Sequence, residues 1–117
     1  MELKMNKIII FVVILFFLGC SDTNSIVSIE TIVKHDLVNI QELDSTLKVE
    51  LKYSTIDNFM KTDVYGNLKT CYMRRIPAQM LVKAHEILKT EHPELRLLIY
   101  DGLRPRSIQW TLWNTLS

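Results

Sequence analysis

The chain has 117 residues, 48% of them hydrophobic and 23% charged, with 14 basic side chains against 13 acidic ones. These values are ordinary for a globular protein and allow one domain at most. The near-zero charge balance argues against a nucleic-acid partner, because such binding needs clustered Lys and Arg to neutralise phosphates, and Arg74-Arg75 is too short to form a basic stripe.

In chain order, the first feature is the apolar run Ile8 to Leu18, preceded by Lys4 and Lys7 and followed by Gly19-Cys20. A basic start, a short apolar centre and a small residue at the end form the pattern of an export signal. As a helix the run rises only about 16 Å, roughly half a bilayer core, so it is too short for a membrane span. Phe17-Leu18-Gly19-Cys20 resembles a lipobox, in which the Cys becomes the lipidated first residue of the mature protein, although Phe17 stands where Leu is more usual and Leu18 is bulkier than usual. The other reading is a plain signal peptide with an incidental Cys, and Met5 offers an alternative start. The expected organisation is a signal peptide at 1–19, a tether at 20–30 rich in Ser, Thr, Asn and Asp, and a domain at 31–117. Lipidated Cys20 would anchor the exported protein to the membrane of a bacterial envelope, in the periplasm or at the outer membrane. With Cys20 lipidated, Cys71 is the remaining thiol and no internal disulfide can form.

From Leu47 the pattern becomes strict. Leu47, Val49, Leu51 and Tyr53 alternate with Lys48, Glu50 and Lys52, which is the period of a strand with one wet face. The segment from Ser54 to Gly66 holds turn-forming residues around Phe59, Val64 and Tyr65 and predicts a structured loop. Pro77 suits the first turn of a helix that carries Ala78, Leu81, Val82, His85 and Leu88 on one face and stops before Pro93. Leu95 to Tyr100 predicts a buried strand that Asp101-Gly102 ends with a turn. A second helix is expected from about Pro105, with Ile108, Leu112 and Leu116 on its inner face. Helices and strands in this arrangement predict an α+β fold.

The stretch from Tyr100 to Pro105 is the most informative chemically. It sets Arg104 on a rigid corner at the carboxyl end of a strand, where a guanidinium fork can face a carboxylate or a developing oxyanion. Alternatively, Arg104 simply pairs with Asp101 or caps a carbonyl. Cys71 has no signature of a catalytic thiol around it, and Trp110 and Trp113 are expected to pack rather than stack on a ligand.

Tyr53-Ser54-Thr55-Ile56-Asp57-Asn58-Phe59, then Val64-Tyr65, Arg74-Arg75 with Ala78 and Leu81, and finally Asp101-Gly102-Leu103-Arg104-Pro105 resemble the amino-terminal half of the D-alanyl-D-alanine dipeptidases, which include the vancomycin-resistance dipeptidases. The resemblance covers about residues 45 to 117. It implies the leading portion of a zinc peptidase domain of the Hedgehog/DD-peptidase type, incomplete here, whose full-length form hydrolyses the D-Ala-D-Ala dipeptide in cell-wall metabolism. It further implies that Arg104 steadies the transition state and that Tyr53, Asp57, Asn58 and Asp101 shape the substrate cleft. The alternative for Asp57 and Asn58 is a turn-holding role. Leu103 replaces the family's usual Tyr.

Zinc is the cofactor that the resemblance implies, yet the family's Ser-x-His-x-x-Gly-x-Ala-x-Asp and Glu-x-Trp-His segments do not occur in this sequence. A catalytic zinc takes three protein ligands and an open position. His35, His85 and His92 have no convincing ligand spacing, so His35 is expected at the surface, His85 half-buried and His92 at a helix end. On this reading residues 1–117 alone are inactive. The rival reading is a non-catalytic lipoprotein that binds a peptidoglycan-derived peptide or a protein partner.

Overall fold

The structure is a computed structural model, and it describes residues 26–116. The export signal, Cys20 and most of the expected tether therefore lie outside the described residues. The elements run α1 (Ile29–Lys34), β1 (Leu37–Asn39), α2 (Ile40–Leu43), β2 (Lys48–Val49), a 3-10 turn (Lys52–Ser54), β3 (Tyr72–Arg74), α3 (Arg75–Glu91), β4 (Leu98–Ile99) and α4 (Arg106–Thr115). The fold is α+β, as the pattern predicts.

Two short sheets organise it. β1 pairs antiparallel with β3, setting Leu37 opposite Arg74 and Asn39 opposite Tyr72. β2 pairs in parallel with β4, setting Lys48 opposite Leu98 and Val49 opposite Ile99. The second pairing runs beyond the formal strands, because the N–H groups of Glu50 and Lys52 donate to the carbonyls of Ile99 and Tyr100. The alternation from Leu47 to Tyr53 is thereby explained: Leu47 and Leu51 are buried, Val49 and Tyr53 pack against the core, and Lys48 and Glu50 face water.

Each helix supplies one stripe to the core. α3 contributes Ala78 and His85, both fully buried, with Leu81 and Val82 packed beside them. α4 contributes Ile108 and Leu112. Among the described residues, no helix is long and apolar enough to cross a membrane.

Several expectations are corrected. The tether cannot extend to residue 30, because Val27 is buried in the core and the Ser28 hydroxyl accepts the Thr31 N–H to cap α1. α3 begins at Arg75, two residues before Pro77, since the Arg75 N–H is already taken by the Asp36 carbonyl and Pro77 still lies in the turn that lacks intrahelical acceptors. The strand expected over Leu95–Tyr100 is regular only at Leu98–Ile99 and is half-buried: Leu98 and Tyr100 are exposed because β4 is covered on one face only. Leu116 follows the last helical residue and is exposed, and Trp110 and Trp113 stand on the outer side of α4.

Asp44 clamps α2 to α3. Its carboxylate accepts from the Thr46 hydroxyl (2.6 Å) and N–H (2.8 Å) and from Lys89 Nζ (3.0 Å), and it lies 3.3 Å from Nδ1 of buried His85. The Thr46 hydroxyl and N–H, helped by Lys89, hold its pKa well below the usual carboxylate value against the opposing effect of burial. A depressed folded-state pKa contributes stability above the unfolded-state value of about 3.9 and loses it as pH falls toward the folded value. Urea unfolding from pH 7 down to pH 3 should therefore show stability falling below about pH 4.5. Asp44→Asn should be less stable at pH 7 and flatter across that range, and an unchanged slope would count against the clamp.

Candidate functional site

The segment Tyr100–Pro105 contains no tight turn, which corrects the expected corner. It carries no regular structure and is pinned to β3, with the Leu103 N–H donating to the Tyr72 carbonyl at 2.7 Å. Gly102 is required by proximity: a Cβ there would stand 2.6 Å from the Tyr72 carbonyl oxygen and 2.7 Å from Cys71 Sγ. The absent side chain lets the two backbones lie against each other.

This pinning aims Asp101 at three donors. Its Oδ1 accepts from the Tyr65 hydroxyl (2.7 Å) and the Gly102 N–H (3.0 Å), and its Oδ2 accepts from Arg104 Nη2 (2.6 Å). Arg104 Nη1 also donates to Gln109 Oε1 at 3.1 Å, which ties the guanidinium to the first turn of α4. The guanidinium carbon lies 4.8 Å from the centroid of the Tyr53 ring, a cation–π distance. Tyr53 meets Phe59 edge-on at 6.1 Å and Tyr65 at 5.8 Å. Arg104 is thus fixed from beneath by an aromatic ring and from the side by a carboxylate, with its side chain 30% exposed. Its Nε is enclosed without a partner among the described residues.

The electrostatics follow from this packing. Burial, reinforced by the Asp101 carboxylate, pushes the Tyr65 hydroxyl far above the usual tyrosine value, so it stays a donor at any ordinary pH. Burial and the same carboxylate push the Cys71 thiol up to about 11, which makes it a packing group and a poor nucleophile.

Of the residues singled out in the sequence, Tyr53, Asp101 and Arg104 come together. Asp57 and Asn58 do not join them in a cleft. Asp57 points into solvent and pairs with Lys52 Nζ at 2.6 Å, which lowers its pKa. The Asn58 amide donates to the carbonyls of Lys52, Thr55 and Thr62, and its oxygen accepts the Met60 N–H, so its hydrogen-bonding capacity is spent on the loop. Tyr65 is the residue that sequence reading left out of the site, although it figures there both in the loop and among the motifs that carry the resemblance.

His35 is the exposed cap at the end of α1, His92 the exposed cap of α3, and His85 is fully buried rather than half-buried. Among the described residues, no three His, Cys, Asp or Glu side chains cluster closely enough to hold a metal ion. A cavity of about 460 Å³ adjoins Asp101, lined by residues of β1, β3, the start of α3 and Asp101, Gly102 and Leu103.

Over 79 residues the chain is 30% identical to the D-alanyl-D-alanine dipeptidase of Escherichia coli (strain K12). That stretch is 68% of this chain and 39% of the E. coli protein, so the chain matches well under half the length of its relative. No family model matches the chain. No solved structure matches it. The likeness to a dipeptidase is therefore distant and partial.

Gly102→Ala tests the pinned segment. Forcing a methyl group against the Tyr72 carbonyl should destabilise the fold by about 1–3 kcal/mol in urea melts, the usual cost of overpacking. Wild-type stability in that variant would mean that the segment is not held against β3.

Proposed function

We propose that this chain carries the arginine-bearing part of a hydrolase that cleaves the D-Ala-D-Ala dipeptide in cell-wall metabolism. One observation carries the reading: Arg104 is clamped between the Asp101 carboxylate and the Tyr53 ring within the motif shared with the dipeptidases. The partial similarity to the E. coli dipeptidase supports it.

The chemistry assigned to Arg104 follows from its restraint. Hydrolysis of a peptide bond passes through a tetrahedral intermediate whose carbonyl oxygen becomes an oxyanion. A donor already oriented toward that oxygen pays little reorganisation when the charge develops, so it favours the transition state over the substrate. Arg has five N–H donors, and Asp101 and Gln109 each take one from Arg104. With Nε enclosed, one N–H on each Nη remains for substrate. Zinc belongs to the proposal through the resemblance alone, with its ligands outside the described residues.

A lipid anchor at Cys20 and export to the bacterial envelope are further parts of the proposal, supported by Lys4, Lys7, the run Ile8–Leu18 and Gly19-Cys20. Metabolic labelling with a palmitate analogue should mark the protein, and Cys20→Ala should abolish the label. A second reading is a non-catalytic lipoprotein that binds a peptidoglycan-derived peptide or a protein partner.

The two readings differ in turnover. The polypeptide encoded by the whole reading frame that contains this chain, supplied with zinc, should release D-alanine from D-Ala-D-Ala. Arg104→Ala should lower kcat by about 100- to 1,000-fold with a smaller effect on KM, the usual cost of losing an oxyanion donor. Equal rates in the two proteins would overturn the role of Arg104. Binding without turnover would favour the second reading. Hydrolysis by residues 20–117 alone would show that a metal site exists within them.

A further inference from the structure

Helix α1 presents an apolar face to the outside. Ile29 is 81% exposed and Val33 74% exposed, and at a spacing of four they stand one turn apart on the same face. Ile32 turns to the core instead. Glu30 and Lys34, both exposed, flank the apolar pair. Just past the helix end, His35, Arg74 and Ile76 line one hollow, and Ile76 adds another exposed aliphatic group. Lys34 and Arg74 make no ion pair with a described residue, whereas the neighbouring Asp36 carboxylate is taken by Arg75 at 2.9 Å. The surface is therefore aliphatic with two uncommitted cations beside it, and Glu30 is the opposing acid.

The place of α1 in the chain identifies what this face meets. Cys20 stands six residues before Ile26, a span of at most about 21 Å at full extension. Val27 is fixed in the core, so those few residues are all the slack between a lipidated Cys20 and the folded domain. A lipid on Cys20 thus holds the entry to α1, the first element after it, within that distance of the bilayer surface.

We infer that α1 docks on the lipid bilayer, with Ile29 and Val33 entering the boundary between head groups and acyl chains and with Lys34 and Arg74 among anionic head groups. Aliphatic side chains flanked by basic ones are what a helix lying in the plane of that boundary requires, and each nearby cation is drawn to anionic lipid. The docking rests on the lipid anchor at Cys20 proposed above. It adds a second contact, which sets the side of the domain that faces the membrane.

The test uses the full chain isolated from bacterial membranes and reconstituted in vesicles of phosphatidylethanolamine with a minority of phosphatidylglycerol, part of the lipid bearing a nitroxide just below the head group. A polarity-sensitive dye is attached at Ile29→Cys or, as a control, at Glu91→Cys, which lies about 24 Å along α3 from the end beside α1. Cys71 is buried and its thiol is pushed up to about 11, so it does not take the dye. At position 29 the emission should shift to the blue and most of the intensity should be lost to the nitroxide, and at position 91 neither should change. Adding Val33→Asp to Ile29→Cys should restore the intensity, with circular dichroism unchanged because both positions lie on the surface. An unquenched dye at position 29, or equal quenching at 29 and 91, would overturn the inference. So would a dye that is blue-shifted but unquenched, because a protein segment or partner would then cover α1. The mass of the same sample reports the lipid on Cys20. Lipidated protein with an unquenched dye would refute the docking and leave the anchor standing, whereas unlipidated protein with a quenched dye would refute the anchor and leave the docking.

Discussion

The Asp101 carboxylate holds together the three segments that make the candidate site. Through the Tyr65 hydroxyl it fastens the loop that follows β2, and it accepts the Gly102 N–H within its own segment, which the Leu103 N–H pins to β3. Through Arg104, itself bonded to Gln109, it reaches α4. Two of these partners could not be released cheaply. Tyr65 is fully buried, so its hydroxyl without an acceptor would cost about 1–3 kcal/mol. Arg104 without its counter-ion would leave a charge half removed from water. A charge-assisted bond of this kind is stronger than a neutral one, and its value here is chiefly orientation: three chain segments converge because one acceptor serves all of them.

The loop between Ser54 and Gly66 shows how the rest of the site depends on that acceptor. Asn58 ties the loop to itself through three carbonyls, and Asp63 accepts the N–H groups of Tyr65 and Gly66 while pairing with Lys69. These contacts give the loop a shape of its own. Its position relative to Arg104 comes from Tyr53 and Tyr65, whose rings pack together beneath the guanidinium. Asn58 and Asp57 therefore hold the shape of the loop that carries the Tyr65 ring.

What the sequence made legible follows from periodicity. The alternation at 47–53 and the helical stripe through Ala78 and His85 each divide the chain into a wet and a dry face, and burial leaves that mark on the residue types. The expected grouping of Arg104 with Tyr53 and Asp101 was legible through the shared motif. Other features carry no periodic mark. Val27 is a single apolar residue in a polar stretch, and only tertiary contact reveals it as the start of the core. Asp-Gly is ambiguous, since glycine serves both turns and close backbone approaches, and here the second use decides. Tyr65 reads as one loop aromatic among several until its hydroxyl is seen to meet a residue 36 positions away. The exposure of Trp110 and Trp113 is equally hidden, because helical spacing tells which residues share a face but not whether anything covers it.

The pairing of Arg104 with Asp101 looks at first like an argument against a role in catalysis, because the counter-ion spends part of the positive charge. The balance depends on what the site must do. A free guanidinium on a flexible stem attracts anions from a distance but must lose rotational freedom and reorganise before it stabilises a particular oxygen. Clamped by Asp101 and backed by the Tyr53 ring, the same group exerts a weaker long-range field and offers N–H donors in fixed directions. Preorganised dipoles of this kind are most useful when charge appears only transiently, since their cost is met in folding. The overall charge of +1 leaves these 117 residues little net field with which to steer anions.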